Sequence, residues 1–426
     1  MTRWNLLFFG MLLLTFLSVP AVAASAEGLQ EQIDATPSGG KLVLDDGVYE
    51  ESLLLTKPIT IEGTARTIIS NCTDEAVITM NGNGVTLKNL QVESCNATGG
   101  AAAIFIKGAD HTLDNIRINT VQFGIKLDEA FATSISSVVI KGQGNENGID
   151  LWKSSDNLIT NTTIDKVYDG IYLENSHGNQ LIENKATHAR YGYHLMFSNG
   201  NVLKGNHSSE NTTGAMIMST KDTVVEDNQL VSNNENVHAQ GLLLYDTYNA
   251  VIRNNNISYN RVGLFLDTSN QNLLENNLVA QNFIGMQLRE FHENEIRDNS
   301  MIGNVYDSQA VNSQDNHIYE NYWDSSMKLD AEGNGVSMIP YTSDPYFLSI
   351  TNSAPEFQLF FHAPGMLVLQ KLLKSQEEAL LRDDSPKMTA TKALEPEAVS
   401  VGWLWLVSLT MLLVSLFYFL WGRKAL

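Results

Sequence analysis

A glycine followed by alternating apolar residues returns at near-constant spacing through the middle of the chain, and no other feature limits the fold so tightly. It stands as Gly124-Ile-Lys-Leu, Gly148-Ile-Asp-Leu, Gly170-Ile-Tyr-Leu, Gly192-Tyr-His-Leu, Gly214-Ala-Met-Ile, Gly241-Leu-Leu-Leu, Gly263-Leu-Phe-Leu and Gly285-Met-Gln-Leu. The steps are 24, 22, 22, 22, 27, 22 and 22 residues. Fourteen residues after each of the last six glycines stands an asparagine (Asn184, Asn206, Asn228, Asn255, Asn277, Asn299), and Asn321 continues the series. A fixed period of short alternating strands without helical periodicity predicts a solenoid of β coils. Each coil buries its inward residues only against its neighbours, so strands one period apart lie in register at roughly 4.8 Å. Asparagine at one repeated position then forms a ladder whose amides bond from coil to coil, and glycine serves the tight corner. Leucine-rich repeats share a period in the low twenties, but the Leu-x-x-Leu-x-Leu spacing is absent.

Upstream, Leu29 to Ala35 reads as a short helix covering the open end of the stack, and Gly40 to Tyr49 as the first strand pair. This opening resembles pectin-lyase-like right-handed parallel β-helices. The expected fold class is all-β: a right-handed parallel β-helix over residues 27–325 with coils of about 22 residues and an N-terminal cap helix. A C-terminal cap and helical segment follows over 326–382, and a polar linker over 383–400. About 13 coils at roughly 4.8 Å give a rod of order 60 Å, one elongated domain.

The two ends carry export and membrane signals. Of the 426 residues, 27 are Lys or Arg and 48 Asp or Glu, and 27 − 48 gives −21. Residues 1–26 and 401–426 hold no acid and three bases (Arg3, Arg423, Lys424), so the stretch between them carries 24 − 48 = −24. A surface that acidic repels phosphate backbones and argues against nucleic-acid binding. Residues 1–26 read as a signal peptide, with Arg3, an apolar run too short to span a bilayer, and small residues at Ala21-Val-Ala23 and Ala24-Ser-Ala26. Residues 401–421 read as a transmembrane helix belted by Trp403, Trp405, Tyr418 and Trp421, with Arg423 and Lys424 placing the tail 422–426 in the cytoplasm. The rod is expected outside the cell membrane, anchored by that helix.

On this lattice the second and fourth residues after each corner glycine point outward. They are Tyr172 and Glu174, then His194 and Met196, Met216 and Met218, and Leu243 and Tyr245. His194, Met196, Met216 and Met218 thus gather on neighbouring coils as a soft ligand set, suited to Cu(I) rather than to Zn, Mg or Ca; the bland alternative is a hydrophobic docking face. His238 lies in the extra loop of the 27-residue step, and His188 and His207 occupy nearby turns; all three are weaker candidates. Cys72 and Cys95, the only cysteines, are 23 residues apart and stack on adjacent coils, as a disulfide or as two free thiols. Asp330, Glu332 and Asn334 have part of a calcium-loop spacing but lack the later bidentate acid, so a structural turn is expected. A polysaccharide lyase, hydrolase or epimerase would need paired carboxylates or a base with an electrophilic partner. The outward acids Asp150, Asp169, Glu174 and Asp267 are scattered over separate coils, and the Asp-Pro-His-Asp type motif of mannuronan epimerases is missing. No catalytic residue is assigned.

Tyr191-Gly-Tyr-His-Leu-Met-Phe-Ser198, followed one coil later by Gly214-Ala-Met-Ile-Met-Ser219, resembles paired strings of the NosD family, the exported accessory proteins of nitrous oxide reductase. Asn321-Tyr-Trp323, the segment ending Pro340-Tyr341, Ala363-Pro364 and Asp384-Ser-Pro-Lys-Met388 follow in the family's order. Trp323-Asp324 replaces the family's Trp-Ser, and its acidic glycine loop is thinned to Glu332-Gly-Asn-Gly-Val-Ser-Met338. The resemblance implies a non-catalytic partner of an ABC transporter permease and ATPase. Such a partner assists maturation of the copper centre of nitrous oxide reductase, alongside a copper chaperone lipoprotein. It also implies that the Met/His patch contacts Cu(I).

Overall fold

The computed structural model describes residues 28–95, 101–236, 238–343, 365, 380–393 and 401–422, with side chains of the last segment only over 405–415. The expected signal peptide and, of the 326–382 cap and helical segment, residues 344–364 and 366–379 lie outside the described residues.

The glycine period is realised as a parallel β solenoid. Strands such as Asp169–Glu174, Tyr191–Met196 and Thr213–Met218 stack in one 12-stranded parallel sheet. Each coil adds two further strands, for example Gln180–Ile182 and Lys185–Thr187, which stack likewise in a sheet of 24 strands. The inward positions make continuous apolar rows: Ile125, Ile149, Ile171, Tyr193, Ala215, Leu242, Leu264 and Met286 are all fully buried. Tyr193 fits because Ala215 is its neighbour in register and its hydroxyl donates to the Asn184 carbonyl at 2.8 Å.

The corner glycines are required by close approach rather than by a left-handed backbone. A Cβ on Gly170 would stand 2.3 Å from the Gly192 carbonyl oxygen, and one on Gly192 would stand 2.1 Å from Ser208 Oγ. Left-handed residues are used at a different corner, one position before each ladder asparagine: Glu183 (φ 55°), Asp227 (φ 59°), Asn276 (φ 54°) and Asp298 (φ 58°).

The expected asparagine ladder is present, and two more run beside it. In the first, Asn184 donates from its backbone N–H to Asn206 Oδ1 at 2.9 Å and from Nδ2 both to that atom at 3.1 Å and to the Ile159 carbonyl at 2.9 Å. The same pattern repeats through Asn206, Asn228, Asn255, Asn277 and Asn299 to Asn321. A second ladder passes through Asn157, Asn179 and Asn201 and resumes at Asn272, Asn294 and Asn316. A third runs Asn211, Asn233, Asn260, Asn282, Asn304. Each amide satisfies backbone groups that the corner turns away from the sheets and that would otherwise be buried without partners.

Both ends are closed. Helix α1 (Leu29–Ala35) buries Leu29 and Ile33 against the first coil. Its Gln30 side chain takes the place of a strand: Oε1 accepts from Leu54 N–H at 2.9 Å and Nε2 donates to Leu54 carbonyl at 3.1 Å. Cys72 and Cys95 are joined by a disulfide between neighbouring coils, beside the in-register pair Ile69 and Val92. At the far end Trp323 is buried and stacks on Tyr341, ring centroids 4.0 Å apart. The thinned acidic loop closes on itself: Asp330 carboxylate oxygens accept from four backbone N–H groups, of Glu332, Gly333, Asn334 and Gly335.

Residues 383–393 depart from the linker expected of them. Leu381–Asp383 pairs antiparallel with Tyr341–Ser343, and the chain then runs back along the rod, Lys387 pairing with Asp298 and the backbone of Thr391 and Lys392 donating to Ser300 Oγ. The physical reason is Asp383. Its buried Oδ2 accepts from Asn321 N–H at 3.1 Å, Asn321 Nδ2 at 3.2 Å and Trp323 Nε1 at 2.9 Å, standing where the next coil's asparagine oxygen would be.

Helix α2 (Val401–Gly422) has 22 residues and coincides with the expected membrane segment. Among the described residues no helix is long and apolar enough to cross a membrane, so the structure does not establish the span.

Asp383→Ala should leave two buried donors unpaired, Asn321 N–H and Trp323 Nε1, and cost about 2–3 kcal/mol, whereas Asp383→Asn, which keeps an acceptor oxygen, should change stability by less than about 1 kcal/mol. Urea unfolding of the two variants against the parent checks this, and equal midpoints for both would remove the capping role.

Candidate metal centre

The register places the patch residues on two adjacent rows of one outer face. Tyr172, His194, Met216 and Leu243 are paired in sequence across coils, and Glu174, Met196, Met218 and Tyr245 form the parallel row. All four candidate ligands therefore lie on one face, in two adjacent coils. His238 does not join them: it is exposed on its turn, its N–H bonded to Asn236 Oδ1 at 2.8 Å. His188 bridges Asp165 at 2.7 Å and Glu210 at 2.8 Å, and His207 bonds Gln229 and Ser209, so neither contributes a free nitrogen to the patch.

His194 differs from the other histidines of the rod's outer face. It points outward yet is only 5% exposed, because the rings of Tyr172 and Tyr191 flank it, each with its centroid 4.8 Å away. Its Nδ1 lies 2.8 Å from Asp169 Oδ2. A carboxylate accepts only, so Nδ1 carries a proton, and in the neutral ring Nε2 carries the lone pair. Nε2 is buried and has no partner. A carboxylate holding one imidazole nitrogen while the other is left bare is the arrangement that orients histidine toward a metal.

Asp169 is itself held by Arg190, through Nε to Oδ1 at 2.9 Å and a second guanidinium nitrogen to Oδ2 at 2.6 Å. Burial alone would push its carboxyl upward, but the bonds from His194 and Arg190 outweigh this and hold it below the ordinary carboxylate range. Arg190 is fixed in turn between the faces of Tyr168 and Tyr191, at 4.1 and 4.3 Å from the ring centroids. On the second row the Tyr172 hydroxyl donates to Glu174 at 2.6 Å and lies 3.6 Å from Met196 Sδ.

Asp169 and Arg190 were not linked to the patch from the sequence. The Asp169–His194 contact spans 25 residues rather than the 22-residue period, so it crosses between coils diagonally and does not show as register. Arg190 precedes the corner and belongs to none of the outward rows.

The donor set of one bare imidazole nitrogen and neighbouring thioethers fits a soft, low-charge cation and not a hard one. Among the described residues there is no group of three or more His, Cys, Asp and Glu able to hold a metal, which leaves the methionines indispensable to any such site.

The fold and this face define a class: a parallel β solenoid with a soft His/Met patch on one outer sheet. Residues 131–340, which hold the whole patch, match the family described as "Periplasmic copper-binding protein (NosD)". No curated protein matches. Among solved structures, the A-module of the Azotobacter vinelandii mannuronan C-5 epimerase AlgE4 has 15% identity and a TM-score of 0.53, over 67% of this chain and 94% of its own. A PL6 alginate lyase in complex with a trisaccharide has 14% identity and a TM-score of 0.49, over 69% of this chain and 81% of its own. At 15% identity the likeness to the epimerase module is one of fold alone.

Asp169→Ala should strand both the Arg190 guanidinium and His194 Nδ1 and cost about 3 kcal/mol. Denaturant unfolding reads the loss; a change below about 1 kcal/mol would show that the carboxylate does not hold the patch together.

Proposed function

We propose that the chain is an extracytoplasmic, non-catalytic copper-handling scaffold that serves maturation of the copper centre of nitrous oxide reductase. It acts with an ABC transporter permease and ATPase and receives copper from a chaperone lipoprotein. Helix α2, uncharged over its 22 residues, anchors the rod at the outer face of the cell membrane. The family description supports the copper and the compartment.

The observation that carries this reading is the bare, buried Nε2 of His194, oriented by Asp169 and paired in register with Met216. His194 and Met216 would hold Cu(I), with Met196 and Met218 completing a thioether-rich environment, and the metal would supply a transferable soft cation rather than a catalytic centre. Methionine ligands suit transfer, since thioethers bind Cu(I) without having to lose a proton first.

A second reading rests on Asp150, Tyr172 and His194, which follow one another in register on three coils. Burial pushes the Asp150 carboxyl up, as a general acid requires, and places this row in contention as a polysaccharide-processing site. Tyr172 weakens it, because burial and the bond to Glu174 push its hydroxyl away from the range of a general base.

Anaerobic Cu(I) titration against a competing chelator separates the two. Wild type should bind one Cu(I), His194→Gln and Met216→Leu should each weaken binding by about tenfold or more, and Met196→Leu/Met218→Leu should weaken it further. Equal binding by wild type and variants, or none by any, removes the copper site. Turnover of uronate polymers by wild type, lost in His194→Gln, reverses the order of the readings.

A further inference from the structure

The last coil breaks the glycine rule in a way that creates a second site. At the position of Gly241, Gly263 and Gly285 the final coil carries Asp307, whose carbonyl oxygen still lies 2.6 Å from where a Gly285 Cβ would be. No further coil stacks on Asp307, so a side chain fits there, and the segment from Ser325 folds over it and leaves it 5% exposed. Its carboxylate accepts from Ser325, through Oγ and the backbone N–H, and, at 3.4 Å, from Asn304 Nδ2; among the described residues no cation pairs with it. Two residues on, Gln309 is 3% exposed with its Oε1 buried and unpartnered. Both line a cavity of about 530 Å³ between the last coil and the cap, whose other walls include Val305, Met327 and Ile339.

We propose that this end cavity binds a small organic cation, a primary ammonium with a short alkyl body. Its N–H donors satisfy the Asp307 carboxylate and Gln309 Oε1, and its carbon chain lies against Val305, Met327 and Ile339. A buried acceptor without a donor, Gln309 Oε1, beside a buried carboxylate with no cation paired to it calls for a donor-rich cationic ligand, since an unmet buried acceptor costs about 1–3 kcal/mol. A cavity of about 530 Å³ exceeds what a bare ion fills and falls in the range of small-molecule sites. Burial without a neutralising cation also pushes the Asp307 carboxyl up to about 6, the state expected of an acid whose counter-charge is a ligand. The cavity lies five coils from His194, roughly 24 Å along the rod, and is independent of the copper reading.

Isothermal titration of the detergent-solubilised full chain with n-butylammonium chloride tests it, with 1-butanol and calcium chloride as parallel titrants at matched ionic strength. Wild type should bind n-butylammonium saturably, Asp307→Asn should weaken it by about tenfold or more, and Gln309→Met by several-fold, with neither parallel titrant saturating. Thermal unfolding establishes that the variants fold; if Asp307→Asn does not, Gln309→Met decides. No saturable binding by wild type, equal affinity in the folded variants, or saturation by 1-butanol or calcium would each overturn the proposal.

Discussion

The rod depends on one repeated interaction, the side-chain amide that donates to the coil behind while its oxygen accepts from the coil before. Sheets satisfy the backbone along the flat faces, but a solenoid must also turn at every corner, and a turn points peptide groups inward where water does not reach. An asparagine at the corner supplies an acceptor for the N–H of its counterpart and a donor for a carbonyl some 25 residues back, as Asn277 does with Asn255 and Ile252. Each bond is worth only about 1 kcal/mol net, yet leaving the same groups unmet would cost more. Register follows from this: a coil slipped by one residue would lose its apolar rows and its amide rows together.

Much of that lattice was legible because it is periodic. The eight glycines and the seven asparagines carry the coil length, and the outward positions that follow put His194 over Met216 without any coordinates. The two additional ladders were equally periodic, nine and nineteen residues after the corner glycine, but Thr223 and Ala250 interrupt the first of these and Ala189 stands ahead of the other. What the period could not carry was aperiodic by nature. Asp169 reaches His194 across a diagonal of 25 residues, and Asp383 reaches Asn321 across 62. Both depend on the path of one particular corner or one particular strap, and no repeat announces either.

The patch is polar chemistry built under these rules rather than against them. Outer rows tolerate any residue, so function can be written there without disturbing the core, but most outward groups remain wet and therefore weak. His194 escapes this because Tyr172 and Tyr191 shield its ring while Asp169 and Arg190 supply a fixed, charge-balanced support. The arrangement holds one nitrogen in a defined tautomer and withholds water from the other. That combination is costly for a structural histidine, since a buried lone pair is left unmet, and is reasonable for a ligand whose partner comes and goes.

The ends of the stack show what the repeat otherwise forbids. Within the rod, the carbonyl of the next coil excludes a Cβ at the corner, so eight consecutive coils carry glycine there. At the last coil that neighbour is absent, and the position accepts Asp307; the ladder next to it ends, and Asp383 is brought in as a substitute rung. The same release from stacking acts in opposite senses. Where a ladder's donors are left over, a carboxylate must be supplied to satisfy them; where a side chain gains room, a carboxylate can be placed with hydrogen bonds but no cation beside it. The first is a cap, fully bonded and closed to ligands. The second is hydrogen-bonded but, among the described residues, paired with no cation and set beside the unmet Gln309 Oε1, and the distinction between the two lies in what surrounds two acids at one end of the rod.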